Sequence, residues 1–278
     1  MRIDGDTQLI AHLGFPTHAF KAPLIYNPYF ESIGVNAAVV PMGCRAEQYP
    51  QVLRALFTLE NIRGALVTMP HKVSTVALLD GLSPAARIAG ACNAVKRSPD
   101  GRLVGDMFDG EGFVRGLSRK GRRLQGASAL IVGCGGVGSA IAASMAAAGV
   151  AQLALHDVVP ACAESLAWRL RTEFARLRVG VGSNDPAGFD LVVNATPLGM
   201  NADDPLPLDV ARLDSRSFVG EVVMKSEMTE LLVQARARGC EVQAGVDMLF
   251  EQIPAYLEFF DFPTTTAEKL RELAQLYP

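Results

Sequence analysis

The stretch Ser128–Asp157, SALIVGCGGVGSAIAASMAAAGVAQLALHD, constrains the fold more than any other part of the chain. An apolar run, Ala129–Val132, leads into Gly133-Cys134-Gly135-Gly136-Val137-Gly138. A small-residue segment continues to Gly149, and a second apolar run, Leu153–Leu155, ends at Asp157. Strand, glycine turn, helix, strand and acid, in that order, are what a dinucleotide-binding βαβ unit requires. Gly133 permits a tight turn, Gly135 lets the backbone approach a pyrophosphate, and Gly138 lets the helix lie close to the strand. Gly136 and Val137 then open a helix whose unpaired N–H groups face the phosphates.

The 278 residues leave room for a second domain beside this unit. A net charge of −3 excludes a chain-wide basic footprint for nucleic acid. Cys44, Cys92, Cys134, Cys162 and Cys240 form no C-x-x-C pair. They read as reduced thiols of a cytoplasmic protein, with no metal site. The start, MRIDGDT, has no apolar core of a secretion signal, and no membrane-length apolar run occurs.

Before the glycine loop, apolar and amphipathic stretches alternate. Thr7–Leu13, Ala37–Pro41 and Ile62–Thr68 read as strands, and Leu24–Ile33, Tyr49–Leu59 and Val73–Leu79 as helices, which predicts a second, largely parallel α/β layer. Lys72 falls just past a strand end, on the edge where open α/β sheets bind ligands. Ala89–Val95 and Gly105–Phe113 read as small-residue loops; Asn93 alone fits a turn cap and Asp109 a helix N-cap. Val114–Gln125, with five basic residues, reads as a solvated connector near a domain boundary. After Asp157, strands are expected at Val179–Val181, Asp190–Asn194, Ser217–Val223 and Gly239–Gln243, and helices at Ala161–Leu177, Thr229–Arg238, Gly245–Phe260 and Thr265–Leu276.

Taken together, these loops resemble the shikimate/quinate dehydrogenase family over nearly the whole chain. The likeness lies in Gly14–Pro23, Leu66–Lys72, Gly90–Val95 and Gly105–Phe113, in the unbroken Asn-Ala-Thr-Pro-Leu-Gly-Met of Asn194–Met200, and in Gly245–Gln252. The resemblance implies an α/β substrate domain (1–112), a Rossmann-type dinucleotide domain (113–245), and C-terminal helices (246–278) that return to the first. It implies reversible hydride transfer between NAD(P) and an alicyclic hydroxy or keto compound, with Lys72 and Asp109 as the catalytic pair. Substrate contacts map onto positions 20, 22 and 26 and onto Thr68, Asn93 and Gln252. Cofactor contacts map onto Gly133, Gly135, Gly136, Val137, Gly138, Asp157, Asn194, Ala195, Thr196, Pro197, Met200, Gly245, Met248 and Leu249. The partners implied are a small molecule and at most a second copy of the chain, as monomer or homodimer, with neither nucleic acid nor membrane.

The departures are as informative as the matches. Phe20 and Ala22 stand where the family has two serines that hold the substrate carboxylate, and Tyr26 where it has His or Gln. Leu66, Met107-Phe108 and Met224 replace further polar residues. Hydrogen bonds to a charged group contribute about 1.5–3 kcal/mol each. Losing two costs roughly two to four powers of ten in affinity. The implied chemistry is retained and the implied substrate changed. The turn Leu155–Pro160 has neither lysine nor arginine for a 2′-phosphate, and Asp157 stands where an acid accepts from ribose hydroxyls, so NAD is expected over NADP. Two other readings stay open: a methylene-tetrahydrofolate dehydrogenase-like enzyme, and a nucleotide-binding regulator that has lost catalysis.

Overall fold

The computed structural model describes residues 3–226 and 228–276. The chain forms two compact units. The first runs to Phe108 and resumes at Ile253; the second is Asp109–Gln252.

In the first unit the elements are β1 (Gln8–Gly14), α1 (Pro23–Ser32), β2 (Ala37–Gly43), α2 (Tyr49–Leu56), β3 (Ile62–Val67), α3 (Lys72–Thr75), β4 (Gly81–Leu82), α4 (Pro84–Ala89), β5 (Ala94–Arg97) and β6 (Leu103–Asp106). The sheet order is β2-β1-β3-β5-β6-β4. The first three strands are parallel; β1 and β3 are mostly buried, as central strands covered on both faces must be, and the edge strand β2 is buried over Ala37–Val39. The sheet is largely parallel, as expected, and β4 pairs with β6 in parallel as well; the exception is β5, antiparallel to both β3 and β6, and β5 and β6 take up parts of the two stretches read as small-residue loops. The four residues of β5, Ala-Val-Lys-Arg, are too few to show a strand period, and their apolar pair is hidden beside the Gly90–Asn93 turn.

The second unit begins with α5 (Asp109–Arg119). It continues through β7 (Ser128–Val132), α6 (Gly136–Ala147), β8 (Gln152–His156), α7 (Pro160–Glu173), β9 (Arg178–Val181), β10 (Leu191–Asn194), β11 (Phe218–Glu221), α8 (Glu230–Ala237) and β12 (Glu241–Gln243). Its sheet order is β12-β11-β10-β7-β8-β9, parallel throughout. That is the doubly wound order of a Rossmann fold, in which the strand sequence reverses between β7 and β10. α9 (Gly245–Phe259) starts in this unit and runs past Gln252 into the first, where α10 (Ala267–Leu273) follows.

The basic stretch Val114–Gln125 is no solvated connector. Its first half is α5, and four of its five cations meet acids of the same unit. Arg115 pairs with Glu111, Arg119 with Asp247 and Glu251, Lys120 with Asp247, and Arg122 with Glu241. Small residues let α5 pack closely. A Cβ on Gly110 would lie 2.1 Å from the Ala140 carbonyl oxygen of α6. A Cβ on Gly112 would lie 2.7 Å from the Met248 carbonyl oxygen. Charge alone marks a surface, and the glycine spacing carries the packing.

Candidate functional site

In the second unit the glycine loop turns off the C-terminal end of β7 at the point of strand reversal. Gly133 has φ +99°, a left-handed conformation that disfavours a side chain. A Cβ on Gly133 would also lie 2.8 Å from the Ala195 carbonyl carbon, so this loop and the Asn194–Met200 loop touch. Val132 and Asn194 are register partners across β7 and β10. The Asn194 side chain is tied inward. Its Oδ1 accepts from the Thr196 N–H (3.1 Å) and hydroxyl (2.6 Å), and its Nδ2 donates to the Leu198 carbonyl (3.0 Å). The loop is thereby a rigid ledge beside the glycines.

Gly135 caps α6 with no side-chain cap, and a Cβ there would meet open space. Gly138 is the opposite case: a Cβ would lie 1.9 Å from the Gly133 carbonyl oxygen. One glycine leaves room above the helix N-terminus and the other allows the helix to approach the strand. Such a cradle fits the pyrophosphate of a dinucleotide. Asp157 completes it: its Oδ2 accepts from the Cys134 N–H (2.7 Å) and its Oδ1 from the Val159 N–H (2.8 Å). The carboxylate therefore caps its own turn and also holds the glycine loop. Gly245 starts α9 against the segment that follows β11, where a Cβ would lie 2.3 Å from the Val223 carbonyl oxygen. Met248 is buried and Leu249 half-buried; Pro197 and Met200 are exposed.

Glu221 ends β11 beside Asn194 and is fully buried (0% exposed). Its Oε2 accepts from the Thr229 hydroxyl (2.8 Å), while Oε1 has no hydrogen-bond partner. Burial pushes its carboxyl up to about 7, against the opposing Thr229 bond. A carboxyl whose folded pKa is raised stabilises the fold below its unfolded value near 4.5, and that contribution is lost as pH rises through about 7. Glu221→Gln keeps an acceptor for Thr229 and has no charge to desolvate. It is expected to raise stability at pH 8 by on the order of 3 kcal/mol and to leave it unchanged at pH 4. Parallel melts of both proteins at the two pH values test this; equal melting temperatures at pH 8 contradict it.

In the first unit Lys72 is the first residue of α3, directly after β3. Its backbone is pinned from below. His71 is buried, donates from Nε2 to the Cys44 carbonyl (2.8 Å), and stacks on Tyr49 with ring centroids 3.9 Å apart. The Tyr49 hydroxyl meets Thr75 Oγ1 (2.6 Å), and the Lys72 carbonyl accepts from the Cys92 N–H (2.8 Å). Asn93 accepts at Oδ1 from the Phe108 N–H (3.0 Å), which fixes the turn that delivers Asp109 to the start of α5. Asp109 is 4% exposed. Gln252, on α9, is buried.

The departures from the family pattern sit on apolar ground. Tyr26 is buried beside Phe30, Leu66 is buried in β3, and Phe108 makes edge contacts with Tyr256 (4.8 Å) and Phe259 (5.6 Å). Phe20 leans on Gly14 together with Thr68: a Cβ on Gly14 would lie 2.9 Å from Phe20 Cζ and 2.5 Å from Thr68 Cγ2. Ala22 is buried at the N-cap of α1. His12, in the apolar strand β1, was not singled out by the sequence pattern; its ring stacks on Phe20 at 4.0 Å. The available signal was one polar side chain inside Leu-Ile-Ala-His-Leu.

Comparison with known proteins agrees with this geometry. Residues 13–95 match the model of the shikimate dehydrogenase substrate binding domain. The chain is 37% identical over 255 residues to a shikimate dehydrogenase (NADP(+)) of Rubrobacter xylanophilus, covering 90% of this chain and 89% of that protein. The fold superposes on the shikimate 5-dehydrogenase of Listeria monocytogenes in complex with shikimate and NAD (TM-score 0.91, 26% identity, 98% of each chain). It also superposes on the quinate dehydrogenase of Corynebacterium glutamicum in complex with NAD (TM-score 0.87, 30% identity, 96% of this chain and 98% of that one). Among the described residues no helix is long and apolar enough to cross a membrane, and no His, Cys, Asp and Glu cluster is arranged to hold a metal.

Proposed function

The chain belongs to the shikimate/quinate dehydrogenase family of NAD(P)-dependent oxidoreductases, and from that premise we propose how its own residues act and which cofactor they favour. When bound, the dinucleotide would supply or accept the hydride. Lys72 takes the proton of the reacting hydroxyl when the alcohol is oxidised and returns it when the ketone is reduced. Asp109 orients the ammonium and accepts a hydrogen bond from the substrate. Thr68, Asn93 and Gln252 hold substrate polar groups, and the glycine loop with Asn194–Met200 holds the dinucleotide. The observation that carries this reading is the retention of Lys72 and Asp109, each at the start of a helix anchored by its own buried partners. A regulator without catalysis has no use for both.

The substrate is expected to differ from shikimate, because Phe20 and Ala22 offer no hydroxyl to a carboxylate. An assay of cofactor absorbance at 340 nm against cyclic hydroxy acids tests the activity. Shikimate oxidation by the unmodified protein as fast as that of its best alternative substrate contradicts the changed specificity.

The cofactor is NAD in preference to NADP, by at least about tenfold in kcat/KM, or roughly 1.4 kcal/mol. Asp157 presents a carboxylate at the ribose position, and no cation in the Leu155–Pro160 turn offsets its repulsion of a 2′-phosphate. Val158, next to it, is 90% exposed and has room for a longer side chain. Asp157→Ser combined with Val158→Arg is expected to narrow or reverse the preference. Equal use of both cofactors by the unmodified protein refutes the role given to Asp157.

A further inference from the structure

The end of the basic stretch takes no part in the reaction proposed above. Arg122 and Arg123 lie in the turn between α5 and β7, and with Arg216, just before β11, they line a groove of about 480 Å³. Asp190 and Leu191, at the start of β10, belong to the same lining. The groove therefore sits at the N-terminal edge of the second sheet, where β7, β10 and β11 begin. The glycine loop and Asn194 lie at the opposite, C-terminal end of β7 and β10. The volume falls within the roughly 300–1,000 Å³ of small-molecule sites.

Two of the three guanidiniums are held in place from outside the groove. Arg216 is 89% exposed, yet its Nε and Nη2 donate to the two oxygens of Asp214 (3.1 and 2.9 Å). Arg122 pairs through Nη2 with Glu241 (3.1 Å) and lies 5.1 Å from the Phe218 ring centroid. Neither acid belongs to the lining. A guanidinium has five N–H donors, so both keep donors to spare. Arg123 pairs with no acid among the described residues. Asp190 is the one carboxylate of the lining, and its Oδ2 already accepts from the Ser128 N–H and hydroxyl (2.8 Å each). The lining thus sets three guanidiniums against one carboxylate, and its apolar side chains are only Ala127 and Leu191.

We propose that this groove binds a small phosphate monoester with a polar, hydroxylated body, at a site separate from the dinucleotide cradle. The planar fork of arginine meets phosphate oxygens two at a time, through charge-assisted bonds. Guanidiniums already oriented by Asp214 and Glu241 lose less freedom when such a ligand arrives. The volume exceeds that of a bare phosphate ion and leaves room for a body of several carbons. With so little apolar lining, that body is a sugar or polyol and not an aromatic ring or an acyl chain. Asp190 Oδ1, which takes no part in the Ser128 bonds, can accept from one of its hydroxyls, and its charge disfavours a second phosphate. The site goes beyond the dehydrogenase reading and does not rest on it.

The test is a calorimetric titration of the full-length protein, saturated with NAD so that phosphate cannot enter the glycine-loop cradle. The probes are glucose 6-phosphate, ribose 5-phosphate, glycerol 3-phosphate, inorganic phosphate and glucose, at constant ionic strength. At least one ester is expected to bind with a Kd of about 1 mM or below, with inorganic phosphate about tenfold weaker and glucose silent. Arg123→Gln combined with Arg216→Gln is expected to weaken the best ester about tenfold or more, while NAD affinity and melting temperature stay unchanged. Silence of all three esters up to about 10 mM overturns the proposal. Ester binding that survives the double substitution places the ester elsewhere and overturns it too. Inorganic phosphate that binds as tightly as the best ester leaves a bare anion site and overturns the ester assignment. Failure of NAD to bind counts against the dinucleotide reading alone, because the double substitution still reports on the groove.

Discussion

Replacing Lys72 by alanine is expected to lower kcat by a factor of about 1,000 or more, near the upper range for loss of a positioned acid–base group. Nucleotide affinity is expected to stay within about twofold of the unmodified protein, because binding energy absent from the reacting centre leaves ground-state binding alone. The residues assigned to the dinucleotide all lie in the second unit, whereas Lys72 belongs to the first. Its removal also spares what holds α3 in place: His71 keeps the Cys44 carbonyl and Tyr49, and the backbone carbonyl at position 72 keeps the Cys92 N–H. Asp109→Asn preserves shape and hydrogen-bonding capacity but removes the charge to which we assign the orienting role, and a strong fall in kcat is expected. Steady-state rates at 340 nm and a nucleotide titration separate the two effects. A folded Lys72→Ala protein that turns over at the unmodified rate sinks the assignment.

The second large effect is expected at Gly138, with Gly135 as its internal control. Alanine at 138 brings a methyl group 1.9 Å from the Gly133 carbonyl oxygen and 3.1 Å from the Ala195 Cβ. Backbone cannot rotate away as a flexible side chain can, so the N-terminus of α6 must separate from the loop. Overpacking of this kind costs about 1–3 kcal/mol of stability. It also displaces the amide groups that would bind phosphate, and a loss of nucleotide affinity of roughly 100-fold, about 2.7 kcal/mol, is expected. Alanine at 135 meets nothing within 4 Å and sits at φ −70°, which alanine adopts freely. Gly135→Ala is therefore expected to leave the melting temperature unchanged and still weaken nucleotide binding, because its methyl occupies space that the pyrophosphate needs. Thermal melts and nucleotide titrations of the two variants distinguish a packing glycine from a ligand glycine. Equal stability losses in both contradict the cradle described above.

The Rossmann half was legible because its signals are local. A glycine triplet, an apolar run on either side and an acid near position 157 fall within one βαβ unit, and parallel buried strands advertise themselves as apolar runs. The β5–β6 hairpin-like pair was missed because four-residue strands have almost no period, and their pairing depends on β3 far back in the chain. The basic stretch Val114–Gln125 misled for a related reason. Its cations look solvated until α9 and β12 bring Asp247, Glu251 and Glu241 to them. Lys72, Asn93 and Asp109 stood out through motif position. His12 and Glu221 did not, since what sets them apart is burial without a full set of partners, which only folding creates. Asp157 was legible as an acid in the right place, but its two backbone bonds, one back to the glycine loop, were not.

The first unit is assembled from both ends of the described chain. The Tyr29 hydroxyl donates to the Pro263 carbonyl (2.8 Å), and the Gln275 N–H donates to the Leu24 carbonyl (2.9 Å). The Phe260 ring fills the space over Gly64 in β3, where a Cβ would lie 2.3 Å from it. The second unit is one uninterrupted stretch. On the ribosome, domains ordinarily fold in the order in which they emerge. Here that order is inverted. The amino-terminal strands leave the exit tunnel first and must wait, with β1 and β3 uncovered, while the nucleotide unit is made and closes on itself. Only when Phe260 and the segment after it are released can the first unit complete its core. The nascent chain thus carries a finished dinucleotide fold joined to an unfinished substrate fold, and that interval is when its apolar strands are most open to chaperones and to aggregation.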